Sequence, residues 1–80
     1  MKLHKQSVSI DAYNGLLEVV SFYDTKSKTF GTDIFFEDKL LATHQEMKNE
    51  PLREHLLSLG YHYVMVIEGR QAGFTRTHGT

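Results

Sequence analysis

Five histidines, one pair of adjacent carboxylates and scattered serines and threonines are the residues of this 80-residue chain that could do chemistry. Histidines that share a metal on a helix stand three or four positions apart, and His4, His44, His55, His62 and His78 contain no such pair. Even on one unbroken helix, His44 and His55 would face the same side roughly 16 Å apart at 1.5 Å rise per residue, too far for one ion. His62 and Glu68 on one face of a strand are also too distant, so no metal site is expected. Nucleophilic hydrolysis needs a serine or threonine beside a histidine with an orienting acid, and no serine here occupies a glycine-flanked elbow between strand and helix. Gly69-Arg70-Gln71-Ala72-Gly73 lacks the glycine pattern and the following Lys-Ser/Thr of a phosphate cradle, so no cofactor is expected. Glu37-Asp38, at a predicted helix start, suits a cap and the helix dipole better than acid–base catalysis. A chain this short also has little room for a substrate pocket. The expectation is a protein that is not an enzyme.

Composition agrees with a binding role. Nine Lys and Arg balance ten Asp and Glu for a net charge of −1, without the positive excess of a dedicated nucleic-acid binder. Lys2, Lys5, Lys26, Lys28, Arg70 and Arg76 lie towards the ends and in predicted loops, whereas Glu37, Asp38, Glu46, Glu50 and Glu54 crowd the middle. With no cysteine, disulfides and thiolate metal sites are excluded. The N-terminus carries basic residues without an apolar core, and no apolar run reaches the ~18 residues of a membrane span, so a cytoplasmic protein is expected.

The elements that must position these residues are read from periodicity. Val8 to Ala12 alternates apolar and polar, Asn14-Gly15 favours a type I′ turn, and Leu17 to Tyr23 is β-branched and aromatic, which predicts a β-hairpin. A helix through Ile10, Tyr13, Leu17 and Val20 has suitable spacing, but Gly15 in its middle would cost about 1 kcal/mol. After the polar turn Asp24 to Thr29, Phe30 to Phe36 reads as a third strand, with Gly31 as a candidate bulge. Asp38 is then expected to cap a helix with Leu40, Leu41, His44 and Met47 at helical spacing. Pro51 interrupts it, so a second helix is expected with Asn49 as cap, Pro51 in its first turn, a stripe of Leu52, Leu56 and Leu59, and Gly60 as its C-terminal stop. Tyr61 to Glu68 alternates again as a last strand. The predicted fold is α+β: an antiparallel four-stranded sheet with a kinked helix or helix pair on one face, forming one domain over residues 1–69, followed by a polar tail over 70–80.

On that last strand Tyr61, Tyr63, Met65 and Ile67 share one face. The run Gly60-Tyr61-His62-Tyr63-Val64-Met65-Val66 resembles in part the aromatic octapeptide of RNA-recognition motifs, which implies that Tyr61 and Tyr63 stack bases. Leu59 stands where that motif has Lys or Arg, and His62 where it has Gly or Ala. Arg70, Phe74 and Arg76 would then serve as phosphate and base contacts. Packing is the stronger expectation for the two tyrosines, since Met65 and Ile67 share their face and favour apolar neighbours.

These readings point to a small non-enzymatic regulator or inhibitor that binds another protein, or a second copy of itself, through its sheet or an acidic helix. Glu46, Glu50, Glu54, Tyr61 and Tyr63 are the expected contacts. Small cysteine-free proteins of this type are frequent products of phages and mobile elements. The alternative is a nucleic-acid-binding module built on Tyr61, Tyr63, Arg70, Phe74 and Arg76.

Overall fold

The computed structural model describes residues 1–12 and 15–79, with side chains as far as Gly69. Four strands, β1 (Lys2–Ala12), β2 (Gly15–Asp24), β3 (Thr29–Phe36) and β4 (Lys39–Met47), are followed by one helix, α1 (Arg53–Gly79). The strands form a single antiparallel sheet in the order β1-β2-β3-β4, an α+β arrangement with each strand beside its neighbour in sequence. Among the described residues no helix is long and apolar enough to cross a membrane.

Period-two alternation sorts the first three strands. Val8 and Ile10 of β1 pair with Val19 and Leu17 of β2, and Val19 in turn pairs with Ile34 of β3. All five side chains therefore point to one face, where Leu56 and Val64 of α1 join them in the core. Leu17, Val19, Ile34 and Leu56 are fully buried, and each such side chain contributes about 1.5–3 kcal/mol by leaving water. Cross-strand neighbours Ser21 and Thr32 are buried on the same face, and their hydroxyls have no hydrogen-bond partner among the described residues.

The predicted hairpin and third strand are present, although Gly15 opens β2 opposite Ala12 without the positive φ of a type I′ turn glycine, so the expected Asn14-Gly15 turn is not its centre; the second half of the chain differs further. Residues 39–47 form a strand and not a helix. Phe36 pairs with Lys39, so Glu37 and Asp38 make a two-residue turn, and both have positive φ (49° and 67°), as a type I′ hairpin turn requires. Asp38 is thus a turn residue and caps nothing. Pairing along β3 outweighs the helical propensity of Leu40, Leu41, Gln45 and Met47, because without β4 the backbone groups on that side of β3 would have no strand partner.

The expected last strand, Tyr61 to Glu68, is likewise helical, and it continues the segment begun at Arg53 as one helix in place of a pair. Leu56, Gly60, Val64 and Ile67 follow at spacings of four, four and three, which line up on one helix face. Gly60 does not stop the helix. It lies where α1 comes closest to the sheet, and a Cβ there would stand 2.5 Å from Ile10 Cδ1. Pro51 precedes the helix and is buried, its carbonyl accepting a hydrogen bond of 2.9 Å from Gln6 Nε2. The expected leucine stripe is broken at its start: Leu56 is buried, Leu59 is half-buried, and Leu52 is 72 % exposed. The tail expected at 70–80 falls outside the described side chains.

Candidate functional site

β4 is an edge strand, bonded to β3 on one side only. It is also the most exposed strand: only Ala42 and Met47 are half-buried, and none of its residues is fully buried. Two irregularities break its pairing. Leu41 is an extra residue between Leu40, opposite Phe35, and Ala42, opposite Ile34. Gln45 and Glu46 both fall between His44, opposite Thr32, and Met47, opposite Phe30, and Glu46 takes the positive φ (67°) that this second bulge demands. The first bulge re-aims Leu41. Its side chain, with Tyr63, Val66 and Ile67 of α1, lines a cavity of about 90 Å³ between β4 and the helix.

The polar element of this groove is His44 Nε2, 3.0 Å from the Tyr63 hydroxyl. The hydroxyl donates when Nε2 carries no proton and accepts when it does. The imidazole also meets the Tyr63 ring edge-on at 6.0 Å, while His62 meets that ring from another side at 5.5 Å. Tyr63 is therefore held by both β4 and its own helix. A cavity of about 90 Å³ is well below the ~300 Å³ at which small-molecule pockets begin, and suits one aliphatic side chain of a larger partner.

The helix takes apart the tyrosine pair read from the sequence. Residues two apart are separated by about 200° on a helix, so Tyr61 and Tyr63 cannot share a face. Tyr63 turns towards β4, whereas Tyr61 lies on the opposite flank, 57 % exposed. The stacking platform implied by the RNA-recognition resemblance is absent, and Arg70, Phe74 and Arg76 lie outside the described side chains. The acidic trio is also redistributed. Glu46 ends β4, Glu50 lies in the connection to the helix, and Glu54 is in the first turn of α1. All three are exposed, but they follow a strand-to-helix turn and do not form one helical face.

The face of the sheet away from Leu56 and Val64 carries a line of contacts across all four strands. Lys2 Nζ lies 4.3 Å above the Phe22 ring and 3.5 Å from Asp33 Oδ2, and Thr43 donates to Asp33 Oδ1 at 2.8 Å. Phe22 in turn rests on Gly31, where a Cβ would stand 2.5 Å from its Cζ. Among the described residues no group of three or more histidines and carboxylates comes together to hold a metal ion.

Compared with known protein families, curated proteins and solved structures, the chain matches none.

The groove joins residues from the two segments whose structure the sequence misassigned. The sequence singles out Tyr63 for another role, and His44 as a candidate metal ligand and as part of a predicted helix face. No local signal pairs them, because their contact exists only once α1 has packed across the sheet and Tyr63 reaches the edge strand.

Proposed function

We propose that the protein acts by docking on another protein, as a small non-enzymatic regulator or inhibitor, and that it takes an extended segment of that partner alongside β4. The observation that carries this reading is an edge strand whose Leu41 shares an apolar cavity with the helix and whose His44 meets the helix's Tyr63. Strand addition draws affinity from main-chain hydrogen bonds and specificity from pockets for alternate side chains. The two bulges divide β4, and its longest unbroken run is Ala42, Thr43 and His44, so the main-chain contact is short and recognition falls to the cavity.

The chemistry of the partner segment follows from the groove. An aliphatic side chain fits between Leu41 and Tyr63, Val66 and Ile67. Glu46, Glu50 and Glu54 lie where β4 leads into α1, beyond the His44–Tyr63 contact, and favour basic residues at that end of the segment.

The test is selection from a displayed library of random nine-residue peptides against the full chain, followed by amide chemical-shift mapping of the best binder. Enriched peptides should carry one aliphatic residue flanked by Lys or Arg, shift residues 40–46 and 60–67, and lose binding to the L41K variant. Peptides that shift neither segment, or that bind L41K unchanged, would rule the groove out.

A further inference from the structure

We infer that β1 is the pairing edge for a second copy of this chain, forming one continuous antiparallel sheet across a two-fold axis. This surface is distinct from the β4 groove and does not depend on it.

The two edges of the sheet differ in a way that matters for self-association. β4 is interrupted twice, which leaves room for a short added segment but not for the long unbroken ladder that joining two whole sheets requires. β1 has one irregularity, between His4 and Gln6, and is then unbroken from Gln6, opposite Ser21, to Ala12, opposite Gly15. This run, Gln6-Ser7-Val8-Ser9-Ile10-Asp11-Ala12, contains no proline and no lysine. Among the described residues its outer backbone groups have no strand partner in the sheet.

Charge selects the partner and the register. Exposed Lys5, the extra residue of that irregularity, immediately precedes the run, and exposed Asp11 stands near its far end. Antiparallel pairing of two copies about Val8 places Lys5 of each beside Asp11 of the other, so both ion pairs form at once. The same register sets Ser7 against Ser9 and Gln6 against Ile10, which keeps like faces together and continues the core face of one sheet into the next. Opposite charges directly across two strands stabilise the pairing, whereas like charges oppose it. A two-fold interface requires this kind of self-complementarity.

The helix supplies a second observation. Each residue advances about 100° around a helix. With Gly60 facing Ile10 and Val19, and Tyr63 turned towards β4, Tyr61 must lie on the flank above β1. Met65 follows one turn later and is 72 % exposed. Copies joined along β1 bring these two flanks towards each other on the same side of the extended sheet, which gives Tyr61 and Met65 an apolar neighbour.

The test measures molar mass by sedimentation equilibrium over ~1 µM to ~1 mM chain, alongside hydrogen exchange of the full-length protein. A reversible dimer is expected, with amides of residues 6–12 gaining protection as concentration rises while those of residues 39–47 do not. K5D and D11K should each weaken dimerisation by roughly tenfold, since either creates two like-charge contacts, and the K5D/D11K double variant should restore it. Circular dichroism of each variant confirms that these exposed changes leave the fold intact. A monomer at every concentration would overturn the inference. So would a dimer protected at β4, or one indifferent to both single reversals.

Discussion

Gly60 of α1 sits directly over Ile10 of β1, so close that a methyl group on its α-carbon would lie 2.5 Å from Ile10 Cδ1 and 3.2 Å from Val19 Cγ2. This contact sets the distance between helix and sheet. Replacing glycine by alanine within a helix normally stabilises it by about 1 kcal/mol. Here the added methyl enters a filled core, which costs about 1–3 kcal/mol. G60A is therefore expected to lower the melting temperature, and I10V, which removes the obstructing Cδ1, should reduce that loss in the double variant. Thermal denaturation of the four proteins of this cycle checks the coupling, and additive effects would show that the two residues do not press on each other.

The turn between β3 and β4 holds two residues at positive φ without a glycine. Asp38 is exposed at φ 67°, a conformation that glycine adopts at no steric cost. D38G is expected to raise stability by about 0.5–1 kcal/mol in urea denaturation. Glu37 is a different case, because its Oε2 accepts a hydrogen bond of 3.2 Å from the Leu16 amide while its own amide donates to the Leu16 carbonyl at 3.0 Å. The same gain at position 37 should therefore be smaller.

Thr32 is fully buried, and its hydroxyl has no partner among the described residues. Valine has nearly the same shape and no polar atom to desolvate. T32V is expected to stabilise the fold by about 1 kcal/mol, the lower end of the cost of an unsatisfied buried hydroxyl. A loss of stability in chemical denaturation would mean that the hydroxyl is satisfied after all.

Asp24 receives the Lys26 amide at 2.9 Å on Oδ1 in the turn from β2 to β3. This hydrogen bond, foremost, holds its carboxyl below the ordinary value of 3.8. A carboxylate whose pKa is lowered on folding contributes stability that is complete above that ordinary value. The contribution is lost as pH falls through the lower, folded value. The D24N variant should therefore show a shallower decline in melting temperature below about pH 4 than the parent, and parallel curves would remove Asp24 from the acid sensitivity.

What the sequence determined alone is local. The alternation of Val8 to Ala12 and the β-branched and aromatic run Leu17 to Tyr23, with turn-forming residues between them, marked the first hairpin. Phe30 to Phe36 declared β3, and the leucines after Pro51 declared a helix. In each case a period or a turn residue acts on its immediate neighbours. The absence of cysteine and of any phosphate-binding pattern was equally plain, because those chemistries need particular residue types at particular spacings.

The tertiary structure decided the rest. Lys39 to Met47 has helical spacing and helix formers, yet it becomes a strand because β3 offers backbone groups to pair, and the turn that permits this contains no glycine to announce it. Tyr61 to Glu68 is apolar at so many positions that periods of 2 and 3.6 both fit it. The sheet resolves the ambiguity: Val8, Ile10, Leu17, Val19 and Ile34 present one apolar face, and a helix can lay Leu56, Gly60, Val64 and Ile67 along it. That one choice separates Tyr61 from Tyr63, brings Tyr63 to His44, and opens the groove beside β4. Contacts between distant segments carry no sequence period, so the candidate site appears only when the sheet and the helix are assembled.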